Sequence, residues 1–474
     1  MNQFLIAVGG TGQMVSLNYW RLCEMMPWAD HDMPTIFYVD QDMLPGFTSK
    51  VDCQHLAPLP SGSPKHFGPY LMDPNAHQLC EDILGTLFSE AELDTDIERG
   101  MFARPPVGAT MVMDMLNDPH NTQLTPLKEQ IDGAGEGVIV VMGSAMGGTG
   151  AGGVPSVAKY LDKHLSEKNR RKHWKIYVIY FLNHFRVQGL ALLRDNAESG
   201  MAYMADKIYR GTDSCILLGT DTPPPRPEQV IGHQREAANP LYLLAALDLI
   251  NAFTVPDVFN HRFCGHGVEL DHFQGASQSG QEGEPRSYQM VAEVREPGVP
   301  VRLPNGRAVE WEEFMTFNKA GLEMWKRLIN LLWVPPGFAL CSHLPRRLTG
   351  AVGRMALGMN RSRNESYTLL AKELEREMQR MQKQITWYEE TLGAVTQPFK
   401  FKAYPPPDEE RFLKALDKPM GFLRECCHRF QMPDPDSRDR RDQEANTLAK
   451  ALVKSLFVLL DEQFYERKFG LQGG

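Results

Sequence analysis

Unbroken apolar runs punctuate the first half of the chain: Phe4-Leu5-Ile6-Ala7-Val8, Ile36-Phe37-Tyr38-Val39, Val138-Ile139-Val140-Val141, Ile176-Tyr177-Val178-Ile179-Tyr180-Phe181-Leu182 and Ser214-Cys215-Ile216-Leu217-Leu218. They are rich in β-branched and aromatic residues and do not alternate with polar ones. Each predicts a strand buried on both faces, as in a parallel sheet covered by helices. Asn239-Pro240-Leu241-Tyr242 opens a long apolar helix running through Ala252, with Pro256 beyond its end. Later the period changes. Trp311 to Leu332 is amphipathic, and Glu365 to Leu392 carries Leu369, Leu370, Leu374, Met378, Met381 and Ile385 at helical spacing. Glu410 to Phe430 and Gln443 to Phe464 are further helix candidates, separated from the preceding one by the rigid Tyr404-Pro405-Pro406-Pro407.

The fold class this predicts is α/β. A Rossmann-like parallel-sheet domain spans 1–238 and a long central helix 239–255. A smaller α/β domain follows over 256–360, and a helical C-terminal region over 361–474. Residues 274–304, rich in Gly, Ser, Glu and Pro, predict a loop insertion or hairpin, with Ser287 to Val294 and Val299 to Leu303 candidate strands inside it.

Two of the apolar runs end in glycine loops. Val138–Val141 leads into Met142-Gly143-Ser144-Ala145-Met146-Gly147-Gly148-Thr149-Gly150-Ala151-Gly152-Gly153, and a helix opens at Val154-Pro155. The first run leads into Gly9-Gly10-Thr11-Gly12-Gln13. Glycine lets the backbone approach an anion and adopt positive φ, and the N–H groups of a following helix point at negative charge. Neither loop is a Walker A sequence or a full GxGxxG fingerprint.

Gly147-Gly148-Thr149-Gly150-Ala151-Gly152 resembles the signature loop of the tubulin/FtsZ family, Gly-Gly-Thr-Gly-x-Gly, with Met146 standing where a further glycine is usual. The family's other loops are similar to segments that follow in the right order. Gly9 to Gln13 resembles the first loop. Val39-Asp40-Gln41-Asp42 resembles the second, a strand ending in Asn-Thr-Asp. Gly100 to Gly108 resembles the γ-phosphate loop, and His184-Phe185-Arg186-Val187-Gln188-Gly189 the fifth. The likeness covers about the first 270 residues.

The resemblance implies bound GTP or GDP with Mg²⁺ on its phosphates. It implies nucleotide contacts at Gly9, Gly10, Thr11, Gly12, Gln13, Asp40, Asp42, Ala103, Arg104, Gly108, Ala145, Gly147, Gly148, Thr149, Gly150, Gln188, Thr220 and Tyr242. Gln188 replaces a Glu near the ribose. Thr220 and Ala246 stand where the family recognises guanine, with Asp221 or Asp248 as alternative acceptors, so the base stays open between guanine and adenine. Tyr242 matches an aromatic position that stacks on the base. Catalysis in the family is completed by an acidic loop of the next subunit. The FtsZ form of that loop is missing here, and Glu269 and Asp271 in Gly265 to His272 are the candidates for orienting water. A polar surface loop explains the same residues equally well.

Composition narrows the setting. The chain has 474 residues, 42% apolar and 23% charged, enough for roughly two or three domains. A net charge of −9 argues against nucleic acid as the main partner. No apolar run is long enough to span a membrane and no secretory leader is visible, so the expected location is the cytoplasm. The eight cysteines are scattered. Neither Cys264-Gly265-His266 nor Cys426-Cys427-His428 has a second ligand pair at zinc spacing, so no metal site is expected in the protein itself.

Three functions remain open. The first is a GTPase assembling head-to-tail into filaments. The second is a non-hydrolysing nucleotide switch or scaffold that docks a protein partner through its C-terminal helices. The third, a nicotinamide-dependent oxidoreductase built on Gly9 to Gly12, leaves the second glycine loop unexplained.

Overall fold

The computed structural model describes residues 2–27, 33–43, 47–48, 50–59, 62–73, 81–101, 103–117, 122–182, 184–185, 195–197, 199–200, 203–204, 211–219, 239–254 and 263–265. Beyond these it describes 301–302, 304, 308–309, 314–315, 317–323, 325–326, 372–387, 446, 449–450, 453–454, 456–458 and 460–461. The chain divides into two compact units. The first comprises Met1–Trp20, Asp32–Val299 and Ala394–Lys400, and the second Arg21–His31, Pro300–Gly393 and Phe401–Gly474.

The first unit is built on a seven-stranded sheet. Its strands are β1 (Asn2–Val8), β2 (Thr35–Val39), β3 (Gln54–Leu56), β4 (Gly137–Ser144), β5 (Trp174–Phe181), β6 (Ser214–Leu218) and β7 (Phe263–Gly265), in spatial order β3-β2-β1-β4-β5-β6-β7. Every neighbouring pair is parallel. The five predicted strands are thus present, and the α/β class with a parallel sheet holds.

Helices α1 (Gly9–Glu24), α2 (Phe67–Leu71), α3 (Glu81–Leu87), α4 (Glu90–Leu93), α5 (Pro105–Asn117), α6 (Thr125–Gly133), α7 (Gly148–Glu167) and α8 (Pro240–Thr254) make the connections. On one face of the sheet, Ile6, Val8, Ile139, Val141, Ile176 and Val178 form a common core with residues of α5, α6 and α7, such as Val112, Ile131, Val154 and Leu161. On the other face lie α1 and α8, joined by an edge-on contact of Tyr19 and Phe253 at 6.1 Å. Each Val, Leu or Ile so buried contributes about 1.5–3 kcal/mol relative to an exposed one.

A small satellite core gathers Phe67, Tyr70, Leu71, Leu84 and Ile97 with Met101, Val107 and Met111. Its α4 opens with a capping box: Ser89 Oγ accepts from Glu92 N–H at 3.3 Å, and Glu92 Oε2 accepts from Ser89 N–H at 2.8 Å.

In the second unit β8 (Val301–Arg302) and β9 (Ala308–Val309) pair antiparallel, placing a strand inside the segment expected to hold one. Helical residues between 314 and 326 pack against helical residues between 446 and 461, with the rings of Phe317 and Phe457 5.7 Å apart. The Arg21 guanidinium lies 4.3 Å from the Trp387 ring centroid, and burial lowers its pKa to about 10. Arg380 pairs with Glu24 at 2.9 Å. Residues 274–300 of the expected insertion, the candidate helix Glu410 to Phe430 and the expected boundaries at 238, 256 and 360 lie outside the described residues. No described helix is long and apolar enough to cross a membrane.

Candidate functional site

The strand order reverses direction between β1 and β4: the chain moves outward from β1 to β2 and β3, then returns to the other side of β1 with β4. In open parallel sheets the crevice at such a switch point, outside the carboxyl ends of the strands, is where ligands bind. The two glycine loops follow β1 and β4 and therefore flank this crevice.

They touch. Gly9 has φ +74°, and a Cβ placed on it would lie 3.4 Å from Gly150 N and 3.7 Å from Thr149 Cβ. A β-carbon at Gly150 would lie 2.4 Å from Ser144 O, one at Gly12 2.8 Å from Ala7 C, and one at Gly108 2.1 Å from Gly148 O. At these three positions the missing side chain lets helices close onto strands and onto each other. Gly147 differs: nothing lies within 4 Å of its notional Cβ. It is the N-cap of α7, extended at φ −90° and ψ 159°, with no side-chain cap. The first helical bond at this end runs from Ala151 N–H to Gly147 O at 3.0 Å. The N–H groups of Gly148, Thr149 and Gly150 therefore have no acceptor within the helix. Ala145 and Met146 N–H are already engaged, by Phe181 O at 2.8 Å and Ser144 Oγ at 3.0 Å.

The end of β2 joins the same place. Thr149 Oγ1 donates to Asp40 Oδ1 at 2.9 Å, and Gln13 Nε2 donates to Asp42 O at 3.2 Å. Burial raises the Asp40 pKa, and hydrogen bonds from Thr149, Tyr38 and Gln41 only partly offset it. The 100–104 segment covers Gly148, whose notional Cβ would lie 2.5 Å from Met101 O and 2.9 Å from Arg104 N. Its tight path needs positive φ at Gly100 (103°) and at Ala103 (57°). Asn196 Nδ2 holds Ala103 O at 2.8 Å. The Arg104 guanidinium is turned to Thr95 Oγ1.

His184, past the end of β5, closes the site from the other side. Its Nδ1 faces Leu182 O at 3.0 Å, and its Nε2 faces Thr11 Oγ1 at 3.3 Å. A carbonyl only accepts, so Nδ1 carries a proton, and in the neutral ring Nε2 accepts from Thr11. Asn239 Nδ2 donates to His184 O at 2.9 Å, while its Oδ1 accepts from Leu241 N–H at 3.0 Å and so caps α8. Tyr242 is buried among Phe181, His184 and Phe185, with ring centroids 5.6–5.9 Å away.

The structure thus brings together residues that the sequence places far apart: Gly9 to Gln13, Asp40, Asp42, Ala103, Arg104, Gly108, the Ala145 to Gly150 loop and, on the far side of His184, Tyr242. Ala246 and Asp248 are buried in α8. Gln188, Thr220, Glu269 and Asp271 lie outside the described residues. Sequence reasoning placed His184 in the fifth loop and Asn239 at the opening of α8 but gave neither of them, nor Tyr38, a contact in the site. An Asn just before Pro240 and an apolar run was a readable cap signal, whereas the His184–Thr11 link has no local signature. Among the described residues no group of three or more His, Cys, Asp or Glu side chains is placed to hold a metal ion.

No protein-family model matches the chain, and no curated protein matches it. Among solved structures the chain is similar to CetZ2 from Haloferax volcanii in a GTPγS-bound protofilament, at 16% identity and a TM-score of 0.31. The similarity covers 59% of this chain, which spans 64% of the length of that one.

Proposed function

We propose that the chain binds a nucleoside triphosphate in the β1/β4 crevice and acts as a tubulin/FtsZ-like GTPase. The reading rests on the meeting of two glycine loops at the sheet's switch point, where Gly148, Thr149 and Gly150 offer N–H groups that the helix leaves over. The γ-phosphate lies toward the 101–104 segment, which already covers Gly148. Mg²⁺ arrives on the phosphates, held by their oxygens and water. The side chain of Thr11, fixed by His184, faces the sugar side. Stacking of Tyr242 on the base requires Phe185 to swing off its edge. The guanine preference follows the sequence resemblance alone.

In this proposal the attacking water is oriented by Glu269 or Asp271 of a second copy arriving head-to-tail. Repetition of that contact builds an open filament. The test is phosphate release from GTP and from ATP across a range of protein concentrations, with Glu269→Ala and Asp271→Ala alongside. Specific activity that rises with concentration and collapses in one of the variants supports hydrolysis between subunits. Binding without turnover at any concentration replaces it by the switch that docks a partner through the C-terminal helices. Absence of binding removes both.

A further inference from the structure

Ala103 has a backbone conformation that suits a different residue. Arg104 N–H donates to Met101 O at 2.9 Å and closes a four-residue turn over 101–104. Ala103, at the third position of that turn, has φ +57°. Turns with positive φ at the third position favour Gly or Asn, because a β-carbon there crowds a carbonyl oxygen. The turn also rests on the opening of α7, backbone against backbone at Gly148.

Such a strained conformation persists only where its surroundings hold it. Asn196 reaches it from 93 residues away in sequence: its Nδ2 donates to Ala103 O at 2.8 Å. The direction of this bond is fixed. The Ala103 carbonyl only accepts, so Asn196 must present its amide N–H, and a carboxylate in its place could not make the bond. Asn196 is buried and stands on a firm base. It belongs to helical residues 195–197, and its neighbour Ala197 is part of the core shared by the sheet, α5 and α7. Gly200 packs so closely on β5 that a Cβ there would lie 2.5 Å from the Tyr180 hydroxyl. The turn is tied again at Arg104, whose guanidinium donates to the buried Thr95 hydroxyl.

We infer that Asn196 is a positioning residue for the γ-phosphate turn, holding Ala103 at positive φ over Gly148. The sign of φ at the third position decides which face of a turn carries that residue's N–H. A turn that relaxes to negative φ rolls the preceding peptide over, so that N–H and carbonyl exchange faces. Phosphate oxygens are bound by an N–H and repelled by a carbonyl oxygen. The held form is the one that receives the γ-phosphate, and Asn196 thereby raises the preference for a triphosphate over a diphosphate. This consequence rests on the nucleotide reading above; the holding of the turn does not.

The holding is tested without nucleotide, by chemical denaturation of wild type, Asn196→Ala, Ala103→Gly and the double variant. Glycine takes positive φ without strain. While Asn196 holds the turn, Ala103→Gly relieves that strain; once Asn196→Ala has let the turn relax, there is none to relieve. The effect of glycine on the folding equilibrium constant should be more favourable in wild type than in Asn196→Ala by at least about threefold. Equal effects overturn the holding role. If Asn196→Ala does not fold, Asn196→Asp, of the same size and without a donor at neutral pH, takes its place in both measurements.

GTPγS and GDP are then titrated into the same proteins. Asn196→Ala should lose about fivefold of the preference for GTPγS over GDP. Ala103→Gly in that background should return at least about twofold of it, since glycine carries none of the left-handed penalty. A loss shared equally by GTPγS and GDP would make Asn196 a structural residue only and overturns the positioning role. If wild type binds neither nucleotide while the denaturation cycle shows the coupling, the nucleotide reading fails and the holding of the turn stands.

Discussion

Tyr180 gives Ala151 the hydrogen bond that Pro155 cannot. In an α-helix the N–H of residue 155 would reach the carbonyl of residue 151, but Pro155 lies inside α7 and has no N–H. The Tyr180 hydroxyl, on β5, donates to Ala151 O at 3.1 Å instead. All three residues are buried. The repair therefore also pins the first turns of α7, which follow the Gly147 to Gly150 loop, to the neighbouring strand.

Tyr180→Phe should cost about 1–3 kcal/mol, because a buried carbonyl then has no donor. Adding Pro155→Ala restores a helical N–H, so the double variant should be more stable than the two single effects predict. Chemical denaturation of all four proteins in the cycle reads the coupling, expected at about 1 kcal/mol. Additive effects would show that Tyr180 contributes only its ring.

Gly152 marks the crossing of α5 over α7. A Cβ there would lie 2.2 Å from Ala109 N and 2.5 Å from Pro105 O, both backbone atoms that cannot swing aside. Gly152→Ala should destabilise by about 2 kcal/mol or more, lowering the thermal midpoint by several degrees. Gly133→Ala, with nothing within 4 Å, is the matched control and should change little.

How legible this architecture was depends on burial. Val138 to Val141 reads as a strand because both faces are covered, leaving no polar position to interrupt the run. The apolar stretch after Asn239 reads as a helix for the same reason. β3 escaped notice because Gln54-His55-Leu56 buries one residue of three, and β7 because Phe263–Gly265 is too short to show a period. The α4 capping box was readable in Ser89-Glu90-Ala91-Glu92 and went unused. Within the site, both glycine loops announced themselves by composition. Their contact did not, nor did Thr149–Asp40 and Thr11–His184. These pairs are separated by 109 and 173 residues, and only the parallel pairing of β2, β1, β4 and β5 brings them to one edge.

Asp132 supplies a pH-dependent clamp far from that edge. Partial burial disfavours its charge, but hydrogen bonds from Lys168 and His164 outweigh it and hold the carboxyl below its ordinary value of 3.8. Arg170 Nη1 adds a bond to Asp132 O at 2.8 Å. A depressed native pKa means stability that is present above the ordinary value and lost as pH falls through the native one. Asp132→Asn should cost about 1 kcal/mol at pH 7, and its difference from wild type should vanish in thermal melts taken below pH 3. A difference that stays constant down to that pH would assign the effect to packing.

The most direct test of the proposed phosphate cradle is a titration of GTP into wild type and Gly147→Asp, with thermal melts of both unliganded proteins. Gly147 has open space around its Cβ and an extended backbone suited to a capping side chain. An aspartate there would accept from the α7 N–H groups, so the unliganded variant should be as stable as wild type or about 0.5 kcal/mol more so. The same carboxylate would occupy the place proposed for phosphate, and GTP affinity should fall by at least about tenfold. Stability kept and affinity lost is the predicted result. GTP bound equally by both folded proteins, or by neither, would contradict a phosphate site at the opening of α7.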